Sequence, residues 1–478
     1  MPRDSLRPHH PPSLSAAARL VAFVFLWHLY VFFPIMERNN MLIMKKLVLI
    51  LCLVICPSFA FGKTDTLKIA GDLIEKGDTE RAKQMLSDMP QSQDESVEIE
   101  RLFLLGKIAQ EQNDYDTAIE IFSKILNIQP NLAKARYELA VCYIHDEQWT
   151  RADYHLRLAM AGDDLSDELK QNMDYYRYFI RQNKNWDVRF RIGTTPDSNV
   201  NNGNGGQECI VDGVRRFCRD AKDLEYIKGT NFSTGGDYEF KLSDHWRWKT
   251  DALLYTDMYD KSGYDDLYLS ASTGPRYIWS RGDIWFAGMG AKRWYDRKEY
   301  NYAYGYKIDT NYDITRKLYG GITIWMLDNK YEYFSEYLNG QVYATDMRLT
   351  YSLDASMFIT LKYGVTREST KSPAYSYWEP NISFGFGTEL PYGFYVYVEP
   401  AFYWFYYDDN QWAIKDGDYI QIKEQDFMQK YSLSLSNNRL EFLGFTPTLI
   451  LSYAKKDSNI WHSGHKKYSF DITLRRRF

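Results

Sequence analysis

Side chains capable of chemistry are sparse in this 478-residue chain, and few of them stand together. Asp197, Asn199, Asn201 and Glu208 occupy positions 1, 3, 5 and 12 of a calcium-loop template, a spacing that gathers oxygen ligands around a hard cation. That template needs a glycine at its sixth position, where this chain has Asn202, and no helical pattern flanks the loop, so calcium is not expected here. His462 and His465 are three residues apart with no cysteine or further histidine nearby, which reads as solvated loop histidines rather than a zinc site. The acidic pairs Asp265-Asp266 and Asp408-Asp409 look like loop tips, not an acid and its partner base. Neither a G-x-S-x-G elbow nor an H-E-x-x-H helix occurs. The expectation is a protein without catalytic residues, metal or cofactor. Cys209 and Cys218 stand about nine residues apart in a long polar loop. In an oxidising compartment they are expected to form a disulfide, two free thiols being the alternative. Cys142 falls in a helical pattern and reads as a small buried apolar residue.

If chemistry does not organise the chain, its patterning does. Tyr468, Phe470, Ile472 and Leu474 share one face of the final segment with the terminal Phe478, and Ser469, Asp471, Thr473, Arg475 and Arg477 share the other. Such period-two alternation is a strand with one apolar and one polar face. A strand ending the chain on a bare aromatic suits the closing strand of an outer-membrane barrel, and Phe470, Ile472, Leu474 and Phe478 are the expected signal to the barrel-assembly machinery. Arg476 interrupts the apolar face, as a long side chain at the membrane boundary can. Aromatics make up 17% of the residues, while a quarter are charged and mean hydropathy is −0.49. Membrane barrels have this balance, because alternate residues face a wet lumen and aromatics gird both interfaces. A formal net charge of −5 gives no sign of a nucleic-acid partner.

Two apolar runs precede the mature chain. The second follows Lys45-Lys46 and ends at Ser58 and Ala60, the form of a signal peptide over 44–60 cleaved after Ala60. The first, over residues 20–35, lies before the better start sites Met41 and Met44, so residues 1–43 read as an over-extended N-terminus. Cys56 follows the bulky Ile55 and makes a poor lipidation site. No apolar run of spanning length follows Gly62.

Residues 64–185 carry a helical period. Leu102, Leu105, Gly106, Ala109, Ala118, Phe122, Ile125 and Pro130 fit the tetratricopeptide template, and Leu139, Ala140, Tyr143, Ala152, Leu156 and Ala159 repeat it in register. Ala70, Leu73, Ala82 and Leu86 form a looser upstream unit, with Lys76-Gly77-Asp78 as its turn. Three units approach the minimum for a stable stack. Phe103, Lys107, Gln110, Tyr137, Val141 and Ile144 fall at the inner-face spacing, where such repeats hold peptide segments. Packing of Val141 and Ile144 against a neighbouring helix is the equal alternative.

At Trp186 the period changes to two and holds to the end, giving about 14 strands over 186–478, an even number as bacterial barrels require. The fold class is therefore α+β and multidomain: a helical repeat solenoid in the periplasm, then a transmembrane antiparallel β-barrel. The order of parts, together with the junction stretch Asp197, Asn199, Asn201 after the first strand, resembles the Slam family, the surface lipoprotein assembly modulators. That resemblance implies a translocator that delivers a dedicated client, a surface lipoprotein or a secreted haem- or iron-acquisition protein, from periplasm to cell surface. The partners it implies are that client, the barrel-assembly machinery and outer-membrane lipids. A solute channel is the alternative and leaves the repeat arm idle; a barrel enzyme finds no catalytic constellation.

Overall fold

The computed structural model describes residues 65–478 except 164, 203–207, 212–213, 218–224, 262, 416–417, 461–462 and 478. The signal segment, the upstream run, Cys56, His462, Phe478 and the expected Cys209–Cys218 disulfide lie outside the described residues.

Among the described residues seven helices come first: α1 Asp65–Glu75, α2 Thr79–Asp88, α3 Glu95–Glu111, α4 Tyr115–Ile128, α5 Ala133–His145, α6 Trp149–Ala159 and α7 Asp167–Asn183. Their antiparallel pairing follows from turn chemistry and from small residues. Gly77, Asn113 and Glu147 each take a left-handed φ (+80°, 58° and 55°) at the turn inside successive pairs, the conformation that ends a helix and reverses the chain. Asp114 and Ser166 cap the helices that follow them by accepting from Thr117 N and Leu169 N. Gly106 explains itself by contact: a Cβ there would lie 2.7 Å from Cζ of Phe122, whose ring is fully buried. Ala118, Ala140 and Ala152 are likewise fully buried beside Phe122 and Leu156, in the core cluster that runs from Leu102 to Ile180.

The sheet that follows is a closed barrel. Its strands are β1 Trp186–Thr194, β4 Gly229–Lys241, β5 Trp246–Tyr259, β6 Asp266–Trp279, β7 Gly282–Tyr295, β8 Lys298–Asp313 and β9 Leu318–Tyr331. It continues with β10 Gly340–Ser352, β11 Met357–Thr370, β12 Tyr377–Leu390, β13 Phe394–Lys415, β14 Asp418–Asn437, β15 Thr446–Ser458 and β16 His465–Arg477. A separate hairpin, β2 Glu208–Val211 with β3 Val214–Phe217, lies in the long β1–β4 connection. Each barrel strand pairs antiparallel with its sequence neighbour, and β1 closes the ring against both β4 and β16. The barrel has 14 strands, and closure gives every strand a hydrogen-bonded neighbour on both sides.

Side chains alternate as the sequence indicated. On β16, Tyr468, Phe470, Ile472 and Leu474 are exposed on the outer face, while Thr473 on the lumen side is fully buried. Outer-face rings form a belt on the arm side, Trp246 to Tyr277 to Trp279 to Tyr312, with centroids 5.0–6.4 Å apart. Arg476 sits at that same boundary: it donates to Leu443 O at 2.5 Å and lies over the Phe445 ring. The lumen wall is polar and ion-paired, with Arg276 between Glu239 and Asp283, and Lys362 on Glu399. Fourteen strands leave a lumen that side chains do not fill; one recess in its wall, beside Asp309, Asp346, Arg348, Lys362 and Tyr403, has a volume of about 380 Å³.

Two strand limits differ from the sequence pattern. The apolar run beginning at Leu440 suggests strand, but β15 starts at Thr446. Asn437 caps Arg439 N, and Leu443 (φ 51°) and Gly444 (φ 78°) turn the chain there, so Leu440, Phe442 and Leu443 are exposed on a turn at the membrane edge. Asp408-Asp409, expected at a loop tip, lie inside β13, which runs on to Lys415 past a register shift between Tyr406 and Asn410 and makes a long hairpin with β14.

Candidate functional site

The six short connections facing the helical arm join β4–β5, β6–β7, β8–β9, β10–β11, β12–β13 and β14–β15. The arm meets this rim at many points. From α6, Thr150 Oγ1 donates to Asp187 on β1 at 2.8 Å, and Arg151 pairs with Glu441 in the β14–β15 turn at 3.2 Å. Farther along the same helix, Tyr154 OH donates to Glu389 at the end of β12 at 2.6 Å, and Arg157 stacks 4.1 Å from the ring centroid of Tyr319 on β9. In the ring of strands, β1 and β9 are almost opposite one another. Helix α6 therefore crosses the periplasmic mouth of the barrel.

Helix α7 lies along the rest of the rim. Arg177 bridges Asp153 on α6 and Asp313 at the end of β8, at 3.0 and 2.8 Å. Arg181 donates to Asp313 and to Ser280 O, while the backbone and side-chain oxygens of Gln182 accept from Arg247 on β5. The innermost contact belongs to α5. Arg136 is fully buried, with its guanidinium on Pro130 O and, at 2.6 Å, on Glu389. Both oxygens of Glu389 are thus held by the arm. Ala355 of the β10–β11 turn is buried in the arm's own core cluster.

Burial sets the electrostatics of this contact. Burial alone would raise the Asp153 carboxyl, but the guanidiniums of Arg157 and Arg177 hold it well below the usual carboxylate range. His155 stacks near Tyr143 and its Nδ1 lies 3.3 Å from Arg136; burial, then the Arg136 charge, push its pKa down to about 3, so the ring is neutral. Breaking one partner of a buried ion pair typically costs about 3–5 kcal/mol, against about 0–1 for an exposed pair.

The residues expected on the inner face of the repeats lie on α3 and α5, the first helices of adjacent repeats. Lys107 pairs with Glu138 at 3.0 Å, and Gln110 donates to Glu138 O and Cys142 Sγ. Phe103 packs edge-on against Phe122, and Tyr137 lies 6.3 Å from Tyr176 on α7. Val141 is half-buried, whereas Ile144 is buried in the core. Cys142 is buried, as its pattern suggested.

The junction motif has a location that spacing did not reveal. Asp197 is buried and bridges two strands: its N–H donates to Ile227 O on the β4 side, and it pairs with Ser469 of β16. Its carboxylate binds Lys467 at 2.5 Å and accepts from Asn199 N at 2.9 Å. Asn199, fully buried, donates from its side-chain amide to Lys466 O, and Asn201 accepts from Glu225 N. Asp197 and Asn199, two of the residues that resembled a calcium loop, therefore hold the outer end of the seam between first and last strands.

Sequence reasoning missed the mouth contacts. A usable signal existed: Arg136 and Arg177 fall among buried positions of repeat helices, and Asp313 and Glu389 stand on the lumen face at the arm-side ends of strands.

Residues 186–478 match the family model described as "Surface lipoprotein assembly modifier", and residues 109–164 match a tetratricopeptide-repeat model. A "Surface lipoprotein assembly modifier" from Pasteurella multocida (strain Pm70) is 20% identical over 391 residues, covering 78% of this chain and 75% of that protein. Among solved structures, a loop-deleted OmpT outer-membrane protein of Vibrio cholerae covers 61% of this chain and 99% of its own, with 8% identity and a TM-score of 0.33. OprD of Pseudomonas aeruginosa covers 62% and 94%, with 10% identity and a TM-score of 0.30.

Proposed function

The chain belongs to the surface lipoprotein assembly modifier family, and we propose that it delivers a client protein, a lipoprotein or a secreted haem- or iron-acquisition protein, from the periplasm to the cell surface. The family is not one of enzymes, and the barrel lies in the outer membrane with its repeat arm in the periplasm. One observation carries the reading: a peptide-binding type of repeat is fastened across the mouth of the barrel by buried ion pairs instead of hanging from a linker. A solute channel gains nothing from a helix across its periplasmic opening.

On this reading the half-exposed inner face of the arm, Phe103, Lys107, Gln110, Tyr137 and Val141, receives an extended segment of client while it is still unfolded. The outward row Phe470, Ile472 and Leu474, with the terminal Phe478, is what the barrel-assembly machinery reads before lipids surround the barrel.

The test is surface display. A candidate client encoded beside this gene is expressed in a Gram-negative host with and without this protein, and intact cells are treated with protease. Cleavage of the client should require the full chain and fall when the arm is deleted or Phe103 and Tyr137 are both replaced by alanine. Normal insertion of a chain lacking Phe478 would remove the assembly role of that residue. If no client is displayed and the barrel passes small solutes with clear selectivity, the channel reading replaces this one.

A further inference from the structure

Resting on the delivery reading above, we infer that the β1–β16 seam is the line along which the barrel opens sideways for a lipid-anchored client, with Asp197 and Asn199 latching its outer end. Among the described residues this ladder has five paired positions, from Arg189 with Arg477 to Gly193 with Thr473. The other ladders of the same two strands have nine and eleven. The register continues beyond Gly193 to the single bridge of Asp197 with Ser469. In between, Thr194, Thr195 and Pro196 stand opposite Ile472, Asp471 and Phe470 without ladder pairing.

The residue types explain the gap. Pro196 has no N–H to give. The N–H groups of Thr195 and Asp197 are turned to the β4 side, onto Gly229 O and Ile227 O. Across the gap, Ile472 N is left with the Thr194 hydroxyl at 3.3 Å. Below the gap Arg191 stands directly opposite Arg475 on the lumen side; like charges also face one another at Arg247–Arg276 and Asp237–Asp251 in longer ladders, so the short pairing is what sets this seam apart. Arg191 Nε and Asp471 Oδ1 are buried with no hydrogen-bond partner, as are Asp257 Oδ1 on β5 and Asp426 Oδ1 on β14. Above the gap, the seam is held by the Asp197–Lys467 pair, the Asn199–Lys466 bond and two hydrogen bonds between Ser198 and Tyr468.

The axial mouth is the contrasting case. There α6 crosses the opening, and Arg136, Arg177 and Asp187 are buried in its fastening. A lateral opening also suits a lipid-anchored client, because its acyl chains stay in lipid while its polypeptide uses the polar lumen.

Three locks in the full chain, made with four cysteine pairs, decide the matter. Ile192→Cys with Leu474→Cys locks the seam; these positions are directly opposite, and antiparallel partners fall within disulfide reach. Thr234→Cys with Leu254→Cys is the same lock on the β4–β5 ladder. Arg151→Cys with Glu441→Cys, and Lys317→Cys with Asp163→Cys, joined by a short bismaleimide, fix the arm to the rim through its exposed pairs. Client display should fall at least tenfold in the seam lock, recover on reduction, and persist in the other two. Display unaffected by the seam lock, or stopped by the rim lock, overturns the lateral route. Spin labels at Ile192 and Leu474 need no client: two distance populations are expected there and one at Thr234 and Leu254. A single narrow distance at the seam defeats the inference even if delivery itself is upheld. Absence of display in every variant before cross-linking, with two seam populations present, sinks the delivery reading instead.

Discussion

The arm–barrel contact and the β1–β16 seam are both joints between parts distant in sequence, and they are built oppositely. At the mouth, opposite charges meet in low dielectric: Arg136 with Glu389, Arg177 and Arg181 with Asp313. At the seam, Arg191 faces Arg475 and three register positions go unpaired. Buried, matched charge makes a joint costly to break one partner at a time, whereas a short ladder with opposed like charges yields first. The lesson is that closure in this molecule is uneven in pairing: among the described residues the seam has five paired positions where the other ladders of its two strands have nine and eleven.

The largest effect should come from breaking the stronger joint. Arg136→Met leaves Glu389 buried and half-satisfied, and is expected to destabilise the arm on the barrel by about 3–5 kcal/mol. Urea unfolding followed by helical circular dichroism should show the arm melting earlier while the barrel persists. Adding Glu389→Leu should recover part of the loss, because no unpaired charge remains.

Acid should attack the same joint next. His155 stays neutral in the native arm until its pKa of about 3, while the unfolded chain takes up the proton near 6.5. Stability is therefore full above pH 6.5 and is lost as pH falls from there toward 3, by about 2 kcal/mol between pH 7 and 5. Asp153, held below its ordinary value, adds loss only below about 4. His155→Gln should flatten the helical melting profile between pH 7 and 5; an unchanged slope would assign the acid sensitivity elsewhere.

The seam should respond more gently. Asp197→Ala removes the Lys467 pair and the acceptor for Asn199 N, and should cost about 1–2 kcal/mol. The temperature at which the folded gel band converts to the unfolded one should drop, and Asn199→Ala in the same chain should add less than its separate effect. Smallest is a repair: Arg475→Glu places a carboxylate opposite Arg191 and should strengthen the seam by about 0.2–1 kcal/mol. Conversion should move up by a few degrees and client display should slow.

The sequence alone determined the elements, because each is written in a local period. The small repeat positions Gly106 and Ala118, the left-handed turn at Gly77, and the outward row from Tyr468 to Leu474 follow from spacings within one repeat or one strand. The α+β class and the fourteen-strand barrel were legible for the same reason. Strand ends were less so: the exposed apolar turn at Leu440–Leu443 imitates a strand, and only the left-handed Leu443 and Gly444 stop it. Tertiary structure decided everything that depends on long-range meeting. It turned the apparent cation ligands Asp197 and Asn199 into contacts with Lys467 and Lys466, some 270 residues away, and brought Arg136 to Glu389 across 253 positions. Closing a ring sets the chain's first strand beside its last, and no local pattern encodes which charges will then face each other.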